Sequence, residues 1–244
     1  MGSFGKLRQQ RKLYRAEIAY NVRMIALFFE VTPRAGQRER YLAMAAALRP
    51  DLDALGGCLF IDRFRSLQTR SLQTRSSQTD GLILSFQIWR DEAALTAWRV
   101  HEAHHHTQTV GRTAVFSDYR LRVAQVIREE QPGKPAWQAQ HRAGWHDAAA
   151  KPPRFVVIAE STSASLDVPS GCTHETYESL KRSGEFAHLV TVPDYPSALE
   201  VTENCRIGAP AYRFRTCEVE RDYGMFDRTE APQYYPPVVP AAPR

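Results

Sequence analysis

Apolar and polar residues in the first half of the chain follow two different periods. Short β-prone runs, either continuously apolar or alternating with polar residues, cover 23–32, 58–65, 82–89 and 117–127. Apolar residues recur at helical spacing in two longer stretches, 37–55 and 92–109. The predicted order is therefore βαββαβ. This is the order of a ferredoxin-like α+β domain, in which two helices cover one face of an antiparallel sheet.

The second predicted helix carries most of the candidate chemistry. Asp91 can cap its N-terminus, and Gly111 is a plausible end. Leu95 and Trp98 share a face because they are three residues apart, and His101 and His105 continue that stripe at helical spacing. The pattern predicts a tryptophan and histidines together on the helix face that is turned toward the sheet.

The second half of the chain, 154–224, repeats the pattern of 23–130 in reduced form. Its last predicted strand matches the last strand of the first half at five positions with a constant offset, namely Tyr119 with Tyr212, Arg120 with Arg213, Arg122 with Arg215, Val126 with Val219 and Arg128 with Arg221. Several matches in the right order predict an internal duplication. The copy has no first helix, and 193–204 is a shortened second helix.

We therefore predict two ferredoxin-like domains of the dimeric α+β barrel type, 23–130 and 154–224, whose antiparallel sheets pack together. The second domain lacks its first helix. The remaining segments are a basic N-terminal extension, a linker and a proline-rich tail, at 1–22, 131–153 and 225–244. The polar segment 66–80 contains the repeat SLQTR-SLQTR and is predicted to be a long hairpin loop, either a lid or an insertion without function.

Composition excludes some functional classes. The net charge of +5 is a mild bias, and the arginines are scattered, so we predict no nucleic-acid partner. The four cysteines lie far apart without a CxxC pair, which is typical of reduced thiols. No apolar run reaches the ~18 residues needed to cross a membrane, and no secretory signal is visible. We expect a cytoplasmic protein with no membrane partner.

These residues carry a family likeness. The segment from Trp89, which reads WRDEAALTAWRVHEAHHHTQTVGRTAVFSDYRLRVAQVIRE, resembles the C-terminal half of antibiotic biosynthesis monooxygenase (ABM) domains. The strand and turn from Met24 to Glu39 resemble their N-terminal half. Members of this family usually pair two domains through their sheets into a barrel-like dimer. The resemblance implies an intramolecular pseudo-dimer in this tandem chain, which could assemble further into a homo-oligomer.

The chemistry of the family ranges over cofactor-independent oxygenation of phenolic or quinone-like molecules, haem binding and degradation, and isomerase roles. Fold alone does not select among these activities. Our first hypothesis is a monooxygenase that uses O2 on an aromatic or polyketide-like small molecule without a cofactor. The alternative is a haem-binding protein or haem-dependent enzyme.

We expect the site between the first sheet and the helix 92–109. Cofactor-independent oxygenation requires a base that deprotonates the substrate, and a neutral histidine suits this role. His104 or His101 is the predicted base or substrate anchor, and Trp98 is the wall beside it. The predicted substrate contacts are aromatic, namely Phe29, Phe86, Trp98 and Phe116. The competing interpretation is that Trp98 is packed core and that the histidines are a solvated helix end.

The haem alternative depends on the same helix. Haem-degrading members carry an asparagine on the first strand, a helix tryptophan and a later histidine. Trp98 matches, but Phe29 and Gln108 stand at the other two places, which disfavours haem degradation. Haem binding stays open, with His104, His105 or His101 as the axial ligand. His101 and His105 have the spacing of metal ligands, but no third ligand is identifiable and we predict no metal site.

Overall fold

The computed structural model describes residues 23–68, 81–139, 154–208, 211–232 and 235. The extension 1–22, the repeat segment 69–80, residues 140–153 of the linker and most of the tail after 232 lie outside these ranges. The predictions made for those segments therefore stay predictions.

The first half contains the predicted elements in the predicted order, with each predicted helix divided into two. The strands are β1 (Ile25–Pro33), β2 (Cys58–Ser66), β3 (Ile83–Trp89) and β4 (Phe116–Glu130). The helices are α1 (Arg38–Ala47), α2 (Arg49–Leu55), α3 (Glu92–Val100) and α4 (Glu102–Val110). The ferredoxin-like α+β order of this half is confirmed.

Local chemistry explains where these helices begin and end. Pro50 lies in the first turn of α2, where its missing N–H is tolerated, so the first predicted helix divides before it. Asp91 caps α3 by accepting a hydrogen bond from the backbone N–H of Ala94 at 2.7 Å, as predicted. The backbone of His101 leaves the helical region, with ψ of 129°, and this separates α3 from α4. Gly111 does not end the second helix, which continues as a π-helical turn, Gly111–Val115.

The second half contains four long strands and one helix. The strands are β6 (Arg154–Ser161), β7 (Thr173–Ser179), β8 (Phe186–Val192) and β9 (Ala211–Gly224), and the helix is α5 (Tyr195–Gly208). No helix joins β6 to β7 in the described residues 162–172, as predicted. None of the helices that the structure describes is both long and apolar enough to cross a membrane.

All strands belong to one antiparallel sheet that closes on itself. The order around the barrel is β1-β3-β2-β7-β8-β6-β9-β4, and β4 pairs again with β1. The short strand β5 (Trp137–Gln138) adds to the end of β4, so Trp137 attaches this part of the linker to the barrel. The prediction of two sheets packed together therefore requires a correction, because the β2–β7 and β4–β9 hydrogen bonds join both halves into a single closed sheet.

Both halves contribute to the interior of the barrel. Phe28 and Phe86 stack inside it with ring centroids 5.3 Å apart. They belong to a buried cluster that also includes Phe64, Ile158 and Tyr177. Because these side chains come from strands of both halves, burial of this apolar surface stabilises the two halves as one unit.

Two buried ion pairs occupy equivalent places in the two halves. Arg122 on β4 donates to Glu30 on β1 at 2.6 Å, and Arg215 on β9 donates to Glu160 on β6 at 2.7 Å. Both arginines are at most 4 % exposed. The strand order β2-β3-β1-β4 also recurs as β7-β8-β6-β9. These correspondences agree with the predicted duplication, which itself stays a prediction.

A pair of histidines in the second half, of which His188 is buried and His174 half-buried, predicts acid sensitivity. Nε2 of His174 lies 3.2 Å from Nδ1 of His188, and Nε2 of His188 donates to the Ser163 carbonyl at 2.9 Å. Burial lowers the pKa of His174 to about 4 and lowers the pKa of His188. The unfolded chain, with ordinary histidine pKa values near ~6.5, binds protons first as pH falls. The contribution of this pair to the free energy of unfolding is therefore fully present above pH ~6.5, and it is lost as the pH falls toward the pKa of about 4.

We expect the free energy of unfolding to fall more between pH 7 and pH 5 in the wild type than in His174→Gln, by about 1–2 kcal/mol. Urea unfolding followed by circular dichroism at both pH values measures this difference. Equal losses in the two proteins would contradict the assignment, because other titrating groups are common to both.

Candidate active site

A cavity of about 620 Å³ lies between the outer face of the barrel and the helices of the first half. Leu42, Ala45 and Leu48, from the first helical segment, line this space and also pack against the buried clusters beside it. No residue of α4 is fully buried, because its inner face borders the cavity. The volume falls within the range of ~300–1,000 Å³ that is typical of small-molecule sites.

The floor of the cavity is made of cross-strand rows on the outer face of the sheet. One row, ordered by strand pairing, is Ile61, Gln87, Leu27, Val123 and Arg221. The next row is Arg63, Ser85, Phe29, Leu121 and Tyr223. The floor is thus mostly apolar, with polar groups in β3 and cations at the edges.

Four of the predicted site residues lie together along this cavity. Trp98 and His104 line it from the helices, and Phe29 and Phe116 line it from the sheet and the start of β4. His104 stacks on Trp98 with ring centroids 4.3 Å apart and planes at 15°. This is the arrangement expected for a histidine with an aromatic wall beside it.

Phe86 is not part of the cavity, which corrects its prediction as a substrate contact. Its side chain is fully buried inside the barrel, because successive residues of a strand point to opposite faces. Its neighbours Ser85 and Gln87 face the cavity instead. They are the polar interruptions in an otherwise apolar strand, and they share one face of it because they are two residues apart.

His101 and His105 also lie outside the cavity lining. His101 stacks on Trp98 with ring centroids 5.5 Å apart, at the break between α3 and α4. His105 stacks on Tyr235, whose hydroxyl lies 3.1 Å from Nε2 of His105. His104 is therefore the histidine of this segment that borders the cavity.

The hydrogen bonds of His104 define its tautomer. Nδ1 lies 2.8 Å from the carbonyl oxygen of Trp98. Nδ1 also lies 3.1 Å from the side-chain amide of Gln108. The carbonyl oxygen, at the shorter distance, can only accept, so we assign the proton to Nδ1 and the lone pair to Nε2, with the amide oxygen of Gln108 turned toward the ring. Nε2 has no hydrogen-bond partner among the described residues. Burial, followed by the neighbouring His101 and His105, lowers the pKa of His104 to about 4. The ring is therefore neutral near pH 7 and can accept a proton or a hydrogen bond through Nε2.

Ser85 and Gln87 form a directed chain of hydrogen bonds in the floor. The indole N–H of Trp89 donates to Oε1 of Gln87 at 2.9 Å, and Nε2 of Gln87 donates to the Ser85 hydroxyl at 3.2 Å. Ser85 therefore keeps its own proton available, and its hydroxyl donates to no described residue. All three side chains are nearly inaccessible. The chain ends in a donor at the cavity floor.

Residues of the predicted proline-rich tail line one end of the cavity, namely Arg228, Pro232 and Tyr235. Arg228 donates through Nη1 to the hydroxyl of Tyr119 at 2.9 Å and through Nε to the carbonyl of Tyr235 at 2.9 Å. The Tyr235 ring also lies under the guanidinium of Arg112, 4.5 Å from its centroid. Sequence reasoning missed these residues because no periodicity links a tail to the strand and helix that it contacts.

The predicted haem ligands fit a haem poorly. An axial histidine must present a lone pair to the iron across the face of the macrocycle. His105 is bonded to Tyr235 and His101 lies outside the cavity lining, so only His104 offers an open nitrogen. Haem binding through His104 stays a prediction, and the reaction proposed below uses the chain's own side chains.

Comparison with known proteins places this fold and site in a family. The family model described as antibiotic biosynthesis monooxygenase matches residues 24–110. A relative from Pyricularia oryzae named "Jasmonate monooxygenase ABM" is 30 % identical over 231 residues, covering 88 % of this chain and 99 % of the relative. The chain belongs to the antibiotic biosynthesis monooxygenase family. Membership of this family and the name of the relative support a monooxygenase-type function.

The solved structures that resemble this chain are more distant. A putative monooxygenase from Fusobacterium nucleatum has 10 % identity and a TM-score of 0.38, covering 83 % of this chain and 94 % of its own. A putative monooxygenase from Lactobacillus acidophilus has 9 % identity and a TM-score of 0.38, covering 82 % and 95 %. The function of this ABM protein must therefore be argued from its own site.

Proposed function

We propose that this ABM protein is a monooxygenase that oxygenates a small, largely apolar molecule with O2 and without a cofactor. The observation that carries the proposal is the neutral His104, which lines the cavity beside Trp98, above a mostly apolar floor, and whose Nε2 has no partner among the described residues. A base in this form can accept a proton from a bound substrate, and the apolar walls exclude water from the carbanion that results.

The reaction that balances without a cofactor converts an acidic CH2 group beside a carbonyl into a second carbonyl. His104 accepts a proton, the enolate transfers electrons to O2, and a carbon–oxygen bond forms to give a peroxide. Loss of water from the peroxide leaves the new C=O. In sum, CH2 and O2 give C=O and H2O, so the substrate carbon supplies all the electrons that reduce O2. A simple hydroxylation would require two further electrons from an external reductant.

Besides a base, the reaction requires a group that stabilises the enolate, and the Ser85–Gln87–Trp89 hydrogen-bond chain suits this role. An enolate oxygen needs a hydrogen-bond donor that is already oriented before the charge develops. The Ser85 hydroxyl is oriented by Gln87, which in turn is held by the Trp89 indole. We assign Ser85 as the donor to the substrate carbonyl, on the opposite wall of the cavity from His104.

We infer that the second half derives from a copy of the first and serves mainly to close the barrel. It has no helix between β6 and β7 to cover a second site. Its contribution to the cavity comes from the edges, with Leu180, Lys181, Arg221 and Tyr223. This division of roles is supported by the matched strand order and the matched Arg–Glu pairs.

Oxygen uptake tests the function directly. We expect purified protein to consume O2 when given jasmonate, the molecule in the name of the Pyricularia relative, or a phenolic ketone with an acidic CH2 group. An oxygen electrode with and without added reduced nicotinamide or flavin, followed by mass spectrometry of the product, distinguishes the reactions. Uptake without reductant, and a product with one more oxygen and two fewer hydrogens, supports the proposal. Uptake only with reductant would refute independence from a cofactor, and no uptake with either substrate would refute the oxygenase assignment.

A further inference from the structure

The side chains lining the cavity have an unbalanced charge. Seven cationic residues line it, namely Arg49, Arg63, Arg99, Arg112, Lys181, Arg221 and Arg228. No aspartate or glutamate lines it among the described residues. Two of these cations are paired with carboxylates beside the lining, Arg49 with Asp53 at 2.8 Å and Arg221 with Glu92 at 2.6 Å, so they contribute little net charge. A cavity with more cations than anions around it still favours a ligand with an anionic group.

The positive charge is best defined at one end, which we call the arginine–tyrosine end and which consists of Arg112, Tyr119, Arg228 and Tyr235. Arg228 is held in place because Nε and Nη1 donate to Tyr235 and Tyr119. Its remaining nitrogen, Nη2, donates to no described residue. The Tyr119 hydroxyl accepts from Arg228, so its own proton is available, and it too donates to no described residue. Nη2 of Arg228 and the hydroxyl of Tyr119 are therefore two oriented hydrogen-bond donors in the same part of the cavity.

Arg112 adds a second cation to this end. Its side chain is largely buried, and burial is the main reason that its pKa is lowered, with the charge of Arg228 acting in the same direction. Burial raises the pKa of Tyr119, which therefore stays protonated and able to donate. Two guanidinium groups close enough to disfavour each other's charge are stabilised when an anion binds between or beside them.

We propose that the arginine–tyrosine end binds the carboxylate of the substrate, so that the substrate class is a small acid with an apolar body. The proposal rests on the proposed function, since it names the class of molecule that the oxygenase site takes. Arg228 Nη2 and the Tyr119 hydroxyl donate to the carboxylate oxygens, and Arg112 supplies the neighbouring charge. Charge-assisted bonds of this kind are short and strong in a site shielded from water.

This assignment orients the substrate along the cavity. Arg112 follows His104 by eight residues, which corresponds to about 12 Å at the helical rise of ~1.5 Å per residue. Leu52, Leu95 and Trp98 are among the apolar side chains that line the rest of the cavity. A carboxylate held at the arginine–tyrosine end therefore places the apolar body over the floor and toward His104. The acid group orients the molecule and is not itself oxidised.

Two acid–ester pairs test the proposal on the unmodified protein. Jasmonate is compared with its methyl ester, and 4-phenylbutyrate with its methyl ester, by isothermal titration calorimetry. The members of each pair are nearly equal in shape, so the comparison isolates the charge. We expect at least one acid to bind about 10- to 100-fold more tightly than its ester. Equal binding, tighter binding of the esters, or no binding of any of the four molecules would overturn the proposal.

A matched pair of variants locates the binding group. Arg228→Gln removes one charge from the arginine–tyrosine end, and Arg40→Gln removes one from an exposed residue outside the cavity lining. We expect Arg228→Gln to reduce the acid-to-ester preference about tenfold or more, and Arg40→Gln to leave it unchanged. Thermal unfolding of both variants identifies any loss of folding. If a folded Arg228→Gln kept the full preference, the assignment to this end would be wrong.

The outcomes separate this proposal from the function on which it rests. A preference for the acid without any oxygen uptake would support the carboxylate site and refute the oxygenase. Oxygen uptake with equal use of acid and ester would support the oxygenase and refute the carboxylate site.

Discussion

Replacing His104 with alanine should lower turnover by about 10²- to 10⁴-fold, the usual effect of removing a positioned general base. His104 is the histidine of its segment that lines the cavity, and its Nε2 has no partner among the described residues. The affinity for the substrate should change far less, because Trp98 and Phe29 still form the walls. Steady-state oxygen uptake measures kcat and KM separately.

The matched control is His106→Ala, since His106 lies on the same helix but is exposed. We expect it to retain wild-type turnover. The pH profile adds a readout that a merely structural role would not change. Protonation removes the base only below its pKa of about 4, so turnover should decline near pH 4 and not near the ordinary histidine pKa of ~6.5. Unchanged turnover in His104→Ala would show that the base is elsewhere.

Replacing Arg215 with methionine should lower the free energy of unfolding by about 3–5 kcal/mol, as expected when one partner of a buried ion pair is removed. Arg215 donates to Glu160 at 2.7 Å and to Glu129 at 2.6 Å. Glu160 is only 2 % exposed, and its next cation, Arg213, lies 3.8 Å away. Without Arg215 the carboxylate must therefore stay buried with weak compensation or take up a proton.

Urea unfolding measures this loss, and two further variants define its cause. Arg120→Met breaks an ion pair with Asp222 in which Arg120 is 51 % exposed, so it should cost only about 0–1 kcal/mol. Adding Glu160→Gln to Arg215→Met should restore part of the stability, because the buried charge is then gone. If Arg215→Met and Arg120→Met were equally stable, burial of the Arg215–Glu160 pair would not explain its contribution to the free energy of unfolding.

Much of the fold follows from the period of two in the strands. In β1, Ala26 and Phe28 face the barrel interior while Leu27 and Phe29 face the cavity, as alternation requires. Some short-range signals were equally reliable, although Gly111 does not end the second helix. Asp91 caps its helix, and the missing helix of the second half is visible as a missing apolar period. These features depend on neighbouring residues in the chain, so the sequence contains all the information they need.

The face of β3 could not be assigned in this way. Phe86 was predicted to contact a substrate because it is aromatic. The structure instead places both Phe86 and Leu84 in the barrel interior. Alternation separates the two faces of a strand but does not say which face meets the other half of the barrel. That choice depends on strands more than ninety residues away, such as β7, which contributes Tyr177 to the same core.

The sequence by itself determined the α+β class, the order of strands and helices in the first half, the Asp91 cap, and the histidine-bearing helical segment beside Trp98. Only the tertiary structure decided that the helices stand away from the sheet and leave a cavity, and that His104 borders it. It also brought Arg228 and Tyr235 to Tyr119 and Arg112. The physical reason is the separation along the chain over which each interaction acts, because periodicity and capping depend only on residues a few positions apart. A cavity, a lowered histidine pKa and a cationic end arise only when distant side chains exclude water together.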